Sequence, residues 1–221
     1  MEQINLLFVL GGLLFLTLFS ASLFKSYQER MAEKRRRIQR LLRGVDMVER
    51  VMFRLDGFPL QAEVERLMWE DVLNRYRKVK EIHARYQGLD GSIARVEALL
   101  NQPRPHGEVL IHDAPKLRRI IVSLNEVIGI IKQGMLLTRL QSKRITELVE
   151  LVATRRAEAV YRYHKHKAEE LNAQGDTKQA VKHCLNIRSY LFENGPTNDQ
   201  VKQWYEEADA MKKGYEAANH S

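Results

Sequence analysis

The segment Tyr161-Arg162-Tyr163-His164-Lys165-His166-Lys167 packs imidazoles, cations and phenols into seven consecutive residues, the most chemically suggestive stretch of the chain. Imidazole nitrogens there, with the downstream pair His183-Cys184, offer ligands for a metal ion. His164 and His166, however, stand two apart on a helix and point about 200° from each other, so they cannot share one ion. Cations interleaved with aromatics could instead meet the phosphates and bases of a nucleic acid, with Arg155 and Arg156 extending the basic face upstream. The plainest alternative is a solvated basic helix face. Tyr161, His164 and Lys167, with Trp204 and Tyr205 further along, are the candidates for contact with a protein partner.

Nothing else points to catalysis. The sequence contains no G-x-x-x-x-G-K-[ST], G-x-G-x-x-G, G-x-S-x-G or H-E-x-x-H, the patterns of phosphate cradles, dinucleotide folds, acyl-transfer elbows and zinc proteases. Glu169-Glu170 and Glu206-Glu207 are neighbours on helices and should face solvent. Trp69 and Trp204 read first as packing anchors. Cys184 is the only cysteine, which rules out an internal disulfide and a cysteine-based zinc site. We therefore expect a non-enzyme and assign no catalytic, metal or cofactor residue.

The elements that position the basic segment are helical. Gln174-Gly175-Asp176 stops one helix and starts another: Gly175 suits a left-handed C-cap, and Asp176 with Gln179 forms an N-cap pair. Glu193-Asn194-Gly195-Pro196 ends that second helix. Thr197 and Gln200 then make a capping-box signature for a last helix carrying Val201, Trp204, Tyr205, Ala208, Met211 and Tyr215. Ala168, Leu171, Gly175, Asp176 and Ala180 stand at the spacing of a tetratricopeptide-type hairpin: small, apolar, Gly-Asp turn, small at the helix crossing. Residues 161–192 thus resemble a single repeat of that family, although His164 and Lys167 replace its large apolar residues, Ile187 a small one and Phe192 a proline. The resemblance implies a protein-binding surface on the hairpin and carries no catalytic implication. A generic helix-turn-helix hairpin is the alternative.

Upstream, Leu117, Ile121, Leu124, Ile128, Ile131, Met135, Thr138, Ser142, Ile145, Val149, Val152, Arg156, Ala159 and Tyr163 alternate steps of four and three, and eleven of these fourteen are apolar. Such a run predicts a coiled-coil or long bundle helix, with Gly134 marking a kink or tight reversal near 134–142. Ile120, Val127, Leu148 and Val160 widen the stripe, which favours packing within the chain over pairing between copies through 117–163. Leu60, Val64, Leu67, Met68, Leu73, Tyr76, Val79, His83 and Tyr86 mark an earlier helix, with Pro59 at its first turn. A short helix is expected at 92–101. Residues 102–116 read as loop, including the strand-like triplet Val109-Leu110-Ile111.

Ile4 to Phe24 are 21 residues without a charge. As a helix they reach about 31 Å, close to the thickness of a bilayer core. Lys25, Arg30, Lys34, Arg35, Arg36, Arg37, Arg40 and Arg43 follow at once, against Glu29 and Glu33. A cleaved signal peptide fits less well: no cation precedes the apolar run, the run exceeds the usual 7–15 residues, and eight Lys/Arg behind it resist translocation. The net charge is +8, of which residues 25–43 supply +6 and residues 44–221 only +3, offset by Glu2. Cations beside an anionic leaflet gain about 1 kcal/mol each, which explains the cluster without nucleic acid.

The expected fold is all-α. It comprises a transmembrane anchor (1–24), a basic juxtamembrane helix (25–55) that carries the stripe Tyr27, Met31, Ile38, Leu41, Val45 and Val48, a bundle (60–172) and a C-terminal hairpin (173–221). The expected location is a membrane, N-terminus out and the rest cytoplasmic, with the bacterial inner membrane favoured. The expected partners are the lipid bilayer and an unidentified protein that the chain recruits. A membrane-tethered nucleic-acid binder using 155–167 is the alternative function.

Overall fold

The computed structural model describes residues 2–58, 60–101 and 111–218, and the side chains from residue 19 onward except residue 21. Seven helices occur among the described residues, and no strand: α1 (Glu2–Arg54), α2 (Ala62–Ile82), α3 (Leu89–Asn101), α4 (Ala114–Lys132), α5 (Ser142–Ala173), α6 (Thr177–Asn194) and α7 (Asp199–Ala218).

In α1, Ile38, Leu41, Val45, Val48 and Met52 recur at steps of three or four and are all buried, so the lower part of the helix is a core element. Tyr27 belongs to the same stripe but is exposed: among the described residues, burial on α1 begins only at Ile38. Among the described residues, no helix is long and apolar enough to cross a membrane. This overturns the expected transmembrane anchor at 1–24, and with it the single-pass placement with a cytoplasmic remainder. From Lys25 onward, α1 carries a charged side chain every few residues, which breaks any apolar window. Most of the apolar run, residues 4–18 and 21, has side chains outside the described set.

The second helix is shorter than the stripe 60–86 suggested. It stops at Ile82, and His83 and Tyr86 lie in the following turn with their rings edge to face, 6.1 Å apart. Pro59 lies outside the described residues. So does most of the loop at 102–116, but Ile111 is fully buried coil, and α4 starts within the expected loop, where Asp113 accepts a hydrogen bond from the Lys116 backbone N–H.

The long heptad run is two helices. Gly134, at φ +62°, takes the left-handed backbone that closes α4, and the chain then runs non-helical to Gln141. Leu117, Ile120, Leu124, Val127 and Ile131 of α4 are buried with Leu148, Val152, Ala159, Val160 and Tyr163 of α5 in one core that also takes in α1, α2 and α3. The wide stripe is therefore filled from within the chain.

One buried ion pair fixes that reversal. Asp71, almost wholly buried on α2, accepts a 2.6 Å bond from Arg75 Nε and a second from the Leu137 backbone N–H, while Arg75 also donates to the Met135 carbonyl. The α4–α5 connection is thus bonded to a helix some 60 residues away, and two buried charges satisfy each other and two backbone groups. Arg75 lies flat on α1 at Gly44, where a Cβ would come within 2.5 Å of its Cζ.

Helix α5 touches α2, α4, α6 and α7, and from Ala157 onward it serves both the main core and, on another face, a smaller one. That core holds Ala157, Tyr161, Ile187, Leu191, Val201, Trp204 and Ala208, with Ala168, Ala180 and Cys184 packed in a neighbouring cluster.

Candidate functional site

The three-helix unit of α5, α6 and α7 carries every residue singled out for partner contact. Its turns follow local chemistry. Gly175, at φ +82°, ends α5, and the Asp176 carboxylate accepts from the Gln179 backbone N–H to cap α6. At the next turn the cap is Asn198 rather than Thr197: its Oδ1 accepts from the Val201 N–H, and its amide donates to Thr154 Oγ1 on α5. Ala168 and Ala180 are fully buried where α5 and α6 cross, so the close approach of the two backbones needs side chains of that size.

Tyr161 and Trp204 are buried inside the unit, stacked at 5.3 Å with planes 15° apart. The Tyr161 hydroxyl donates to the Glu207 carboxylate and accepts from Lys165 Nζ at 3.0 Å. Burial, then the bond to Glu207, pushes the phenol above its ordinary range. The Tyr161 bond in turn pulls the Glu207 carboxyl down. This network ties α5 to α7 and is consumed by the fold.

His164 meets His183 of α6, Nδ1 to Nδ1 at 2.8 Å, so one ring donates and the other accepts. Burial, then the neighbouring His183, depresses His164 to about 4. Burial and the charges of Lys167 and Lys182 lower His183 as well. His166, on the other side of α5, lies 6.0 Å from the His112 ring. The angular separation of the two histidines therefore sends His164 to α6 and His166 to the coil that precedes α4. Among the described residues, no group of three His, Cys, Asp or Glu could hold a metal ion. Cys184 is fully buried, and that burial pushes its thiol up, into its protonated, unreactive form.

The cations that suggested nucleic-acid contact are engaged within the chain. Arg155 and Arg162 both bind Glu158, at 2.5 and 2.7 Å. Arg156 donates to Asn125 Oδ1 and to the Asn194 carbonyl. Lys165 faces Glu207 at 3.6 Å, and Lys167 pairs with Glu170 at 2.7 Å. The face carries its own counter-charges.

The open surface lies on the outer side of α6 and at its C-terminal turn. Leu185 and Phe192, seven residues apart on one face, are 42% and 84% exposed. Phe192 borders a groove of about 420 Å³ with Leu191, Pro196, Val201 and Tyr205 along its wall. Tyr205 is held there by Arg188, which donates to its hydroxyl at 2.9 Å, lies over its ring at 5.0 Å and pairs with Asp209 at 3.0 Å. Of the five expected contact residues, only Tyr205 lines this groove. Leu185 and Phe192 were not singled out, although their seven-residue spacing outside the buried stripe of α6 was a readable signal.

No family model, curated protein or solved structure matches the chain.

Proposed function

We propose that the chain is a non-catalytic helical adaptor that docks a protein partner on the α6–α7 end of its C-terminal unit. The observation that carries this is Phe192, a large aromatic left 84% exposed beside an apolar groove. Isolated apolar side chains on a surface need no explanation, but here an exposed aromatic borders an open groove, with exposed Leu185 one heptad back on the same face of α6. The occupant is a segment of another protein presenting a bulky apolar side chain to the groove, with Phe192 packing against its flank. Lys202 and Asp199 at the rim offer polar contacts of either sign. The resemblance of 161–192 to a tetratricopeptide-type hairpin supports the same use, since that family binds proteins on its helical faces.

Burying a Phe side chain contributes about 2 kcal/mol, so Phe192→Ser should weaken partner binding about thirtyfold. Capture from a lysate with the full chain and with the Phe192→Ser and Leu185→Ser variants tests this. The reading predicts a protein retained by the parent and lost from both variants. Identical retained sets would remove the groove as the docking site.

A further inference from the structure

The upper part of α1 is a different kind of surface. Among the described side chains of α1, Ile38 is the first that is buried, so residues 22–37 run free of the bundle. Lys25, Arg30, Lys34, Arg35, Arg36, Arg37, Arg40 and Arg43 are all exposed, and among the described residues none of them has an ion-pair partner. With Glu29 and Glu33 between them, this stretch carries +6. The contrast with residues 155–167, where nearly every cation has a carboxylate, is sharp.

We propose that this segment of α1 binds an anionic lipid surface, its cations meeting headgroup phosphates or carboxylates. The inference goes beyond the docking reading and does not depend on it. Two observations favour lipid over nucleic acid. At about 100° per residue, Lys25, Arg36 and Arg43 fall on one side of the helix, Arg30, Lys34 and Arg37 on another, and Arg35 on a third. A duplex groove is read by one face of a helix, whereas a layer of headgroups can surround it. Phe19, Leu23, Phe24 and Tyr27, each more than half exposed, adjoin the cations on the same helix. Such side chains gain from the boundary between headgroups and acyl chains, and phosphodiester contacts give them nothing. The helix is polarised along its axis, apolar and aromatic first and cationic after, which suits contact with a surface and requires no crossing.

Sedimentation of the full chain with vesicles tests this. Vesicles of phosphatidylcholine with 30% phosphatidylserine should bind at least tenfold more tightly than phosphatidylcholine alone, and the difference should shrink as salt is raised. Arg35→Glu, Arg36→Glu and Arg37→Glu together should lower binding to the anionic vesicles at least tenfold. The three sites are exposed and outside both cores, so the variant should keep the parent's helical circular dichroism. Leu23→Ser with Phe24→Ser should weaken vesicle binding while leaving the salt dependence in place. Equal binding to both vesicle types overturns the proposal, as does full retention by the triple variant. Duplex DNA that binds the parent chain while anionic vesicles do not would assign the cations to nucleic acid instead.

Discussion

The His164–His183 contact makes the C-terminal unit acid-sensitive in a way that one substitution can isolate. His164 is held near 4 in the folded chain, against about 6.5 for an unfolded histidine. Above pH 6.5 the ring is neutral in both states and the depression has no effect on stability. As pH falls below 6.5 the unfolded chain takes the proton first, so the folded state loses ground until about pH 4, where both are protonated. Across that whole window the loss approaches about 3 kcal/mol. Between pH 8 and pH 5 it is about 2 kcal/mol, and closer to 1 once partial exposure of the ring is allowed for. His164→Gln keeps a side chain able to hydrogen-bond His183 and cannot titrate in this range. Urea unfolding at pH 8 and pH 5 should show the parent losing about 1–2 kcal/mol more stability than the variant. Acid-labile carboxylates act on both chains equally and cancel in the difference. Equal losses in parent and variant would refute the reasoning, as would a His164 imidazole titrating near 6.5 by NMR.

Three further outcomes concern the bundle. Asp71→Ala leaves the Arg75 guanidinium buried without its carboxylate and frees the Leu137 N–H. A loss of about 3–5 kcal/mol in chemical unfolding is expected, together with faster hydrogen exchange at 135–140. Gly44→Ala pushes a methyl into the same guanidinium and should cost about 1–3 kcal/mol by thermal unfolding. Trp204→Ala removes the partner of the Tyr161 ring and should destabilise α7 by about 3–5 kcal/mol, read as early loss of protection there while α1–α4 keep theirs.

Much of the helical architecture is written locally. In the run that alternates steps of three and four, the positions one or more heptads apart at Leu117, Leu124, Ile131, Val152 and Ala159 are all buried. The Asp176 cap acts on the residue three positions on, and the Gly175 turn needs only its own backbone. The last cap falls at Asn198, one residue past Thr197, because Asn198 is equally able to accept from a backbone N–H, lies closer to the helix start and also bonds Thr154. The site was less legible. Tyr161 and Trp204 have the composition of an interface, and the same aromatic character makes them core when another helix covers them. Phe192 and its buried neighbour Leu191 differ in which face of α6 they occupy, and the seven-residue spacing from exposed Leu185 is the one local mark of that difference. The anchor at 1–24 rested on hydropathy and charge alone, and among the described residues no helix is apolar over enough length to cross a membrane.

By itself, then, the sequence determined the helical character of the chain and several of the turns that divide it, the concentration of positive charge between Lys25 and Arg43, and the absence of the common phosphate-cradle, dinucleotide, acyl-transfer and zinc-protease patterns. Helical periodicity, caps and charge are properties of residues within one or two turns of each other, so they can be read in order along the chain. Tertiary structure alone decided that 117–163 folds back as two helices, that Asp71 and Arg75 hold the reversal, and that His164 finds His183 while His166 does not. It also decided which cations are neutralised. Arg54 is paired with Glu126, and the cations at 155–167 are engaged within the chain, while those of upper α1 have no pair among the described residues. These outcomes depend on which helix faces meet across dozens of residues, and a local pattern carries no record of that partner.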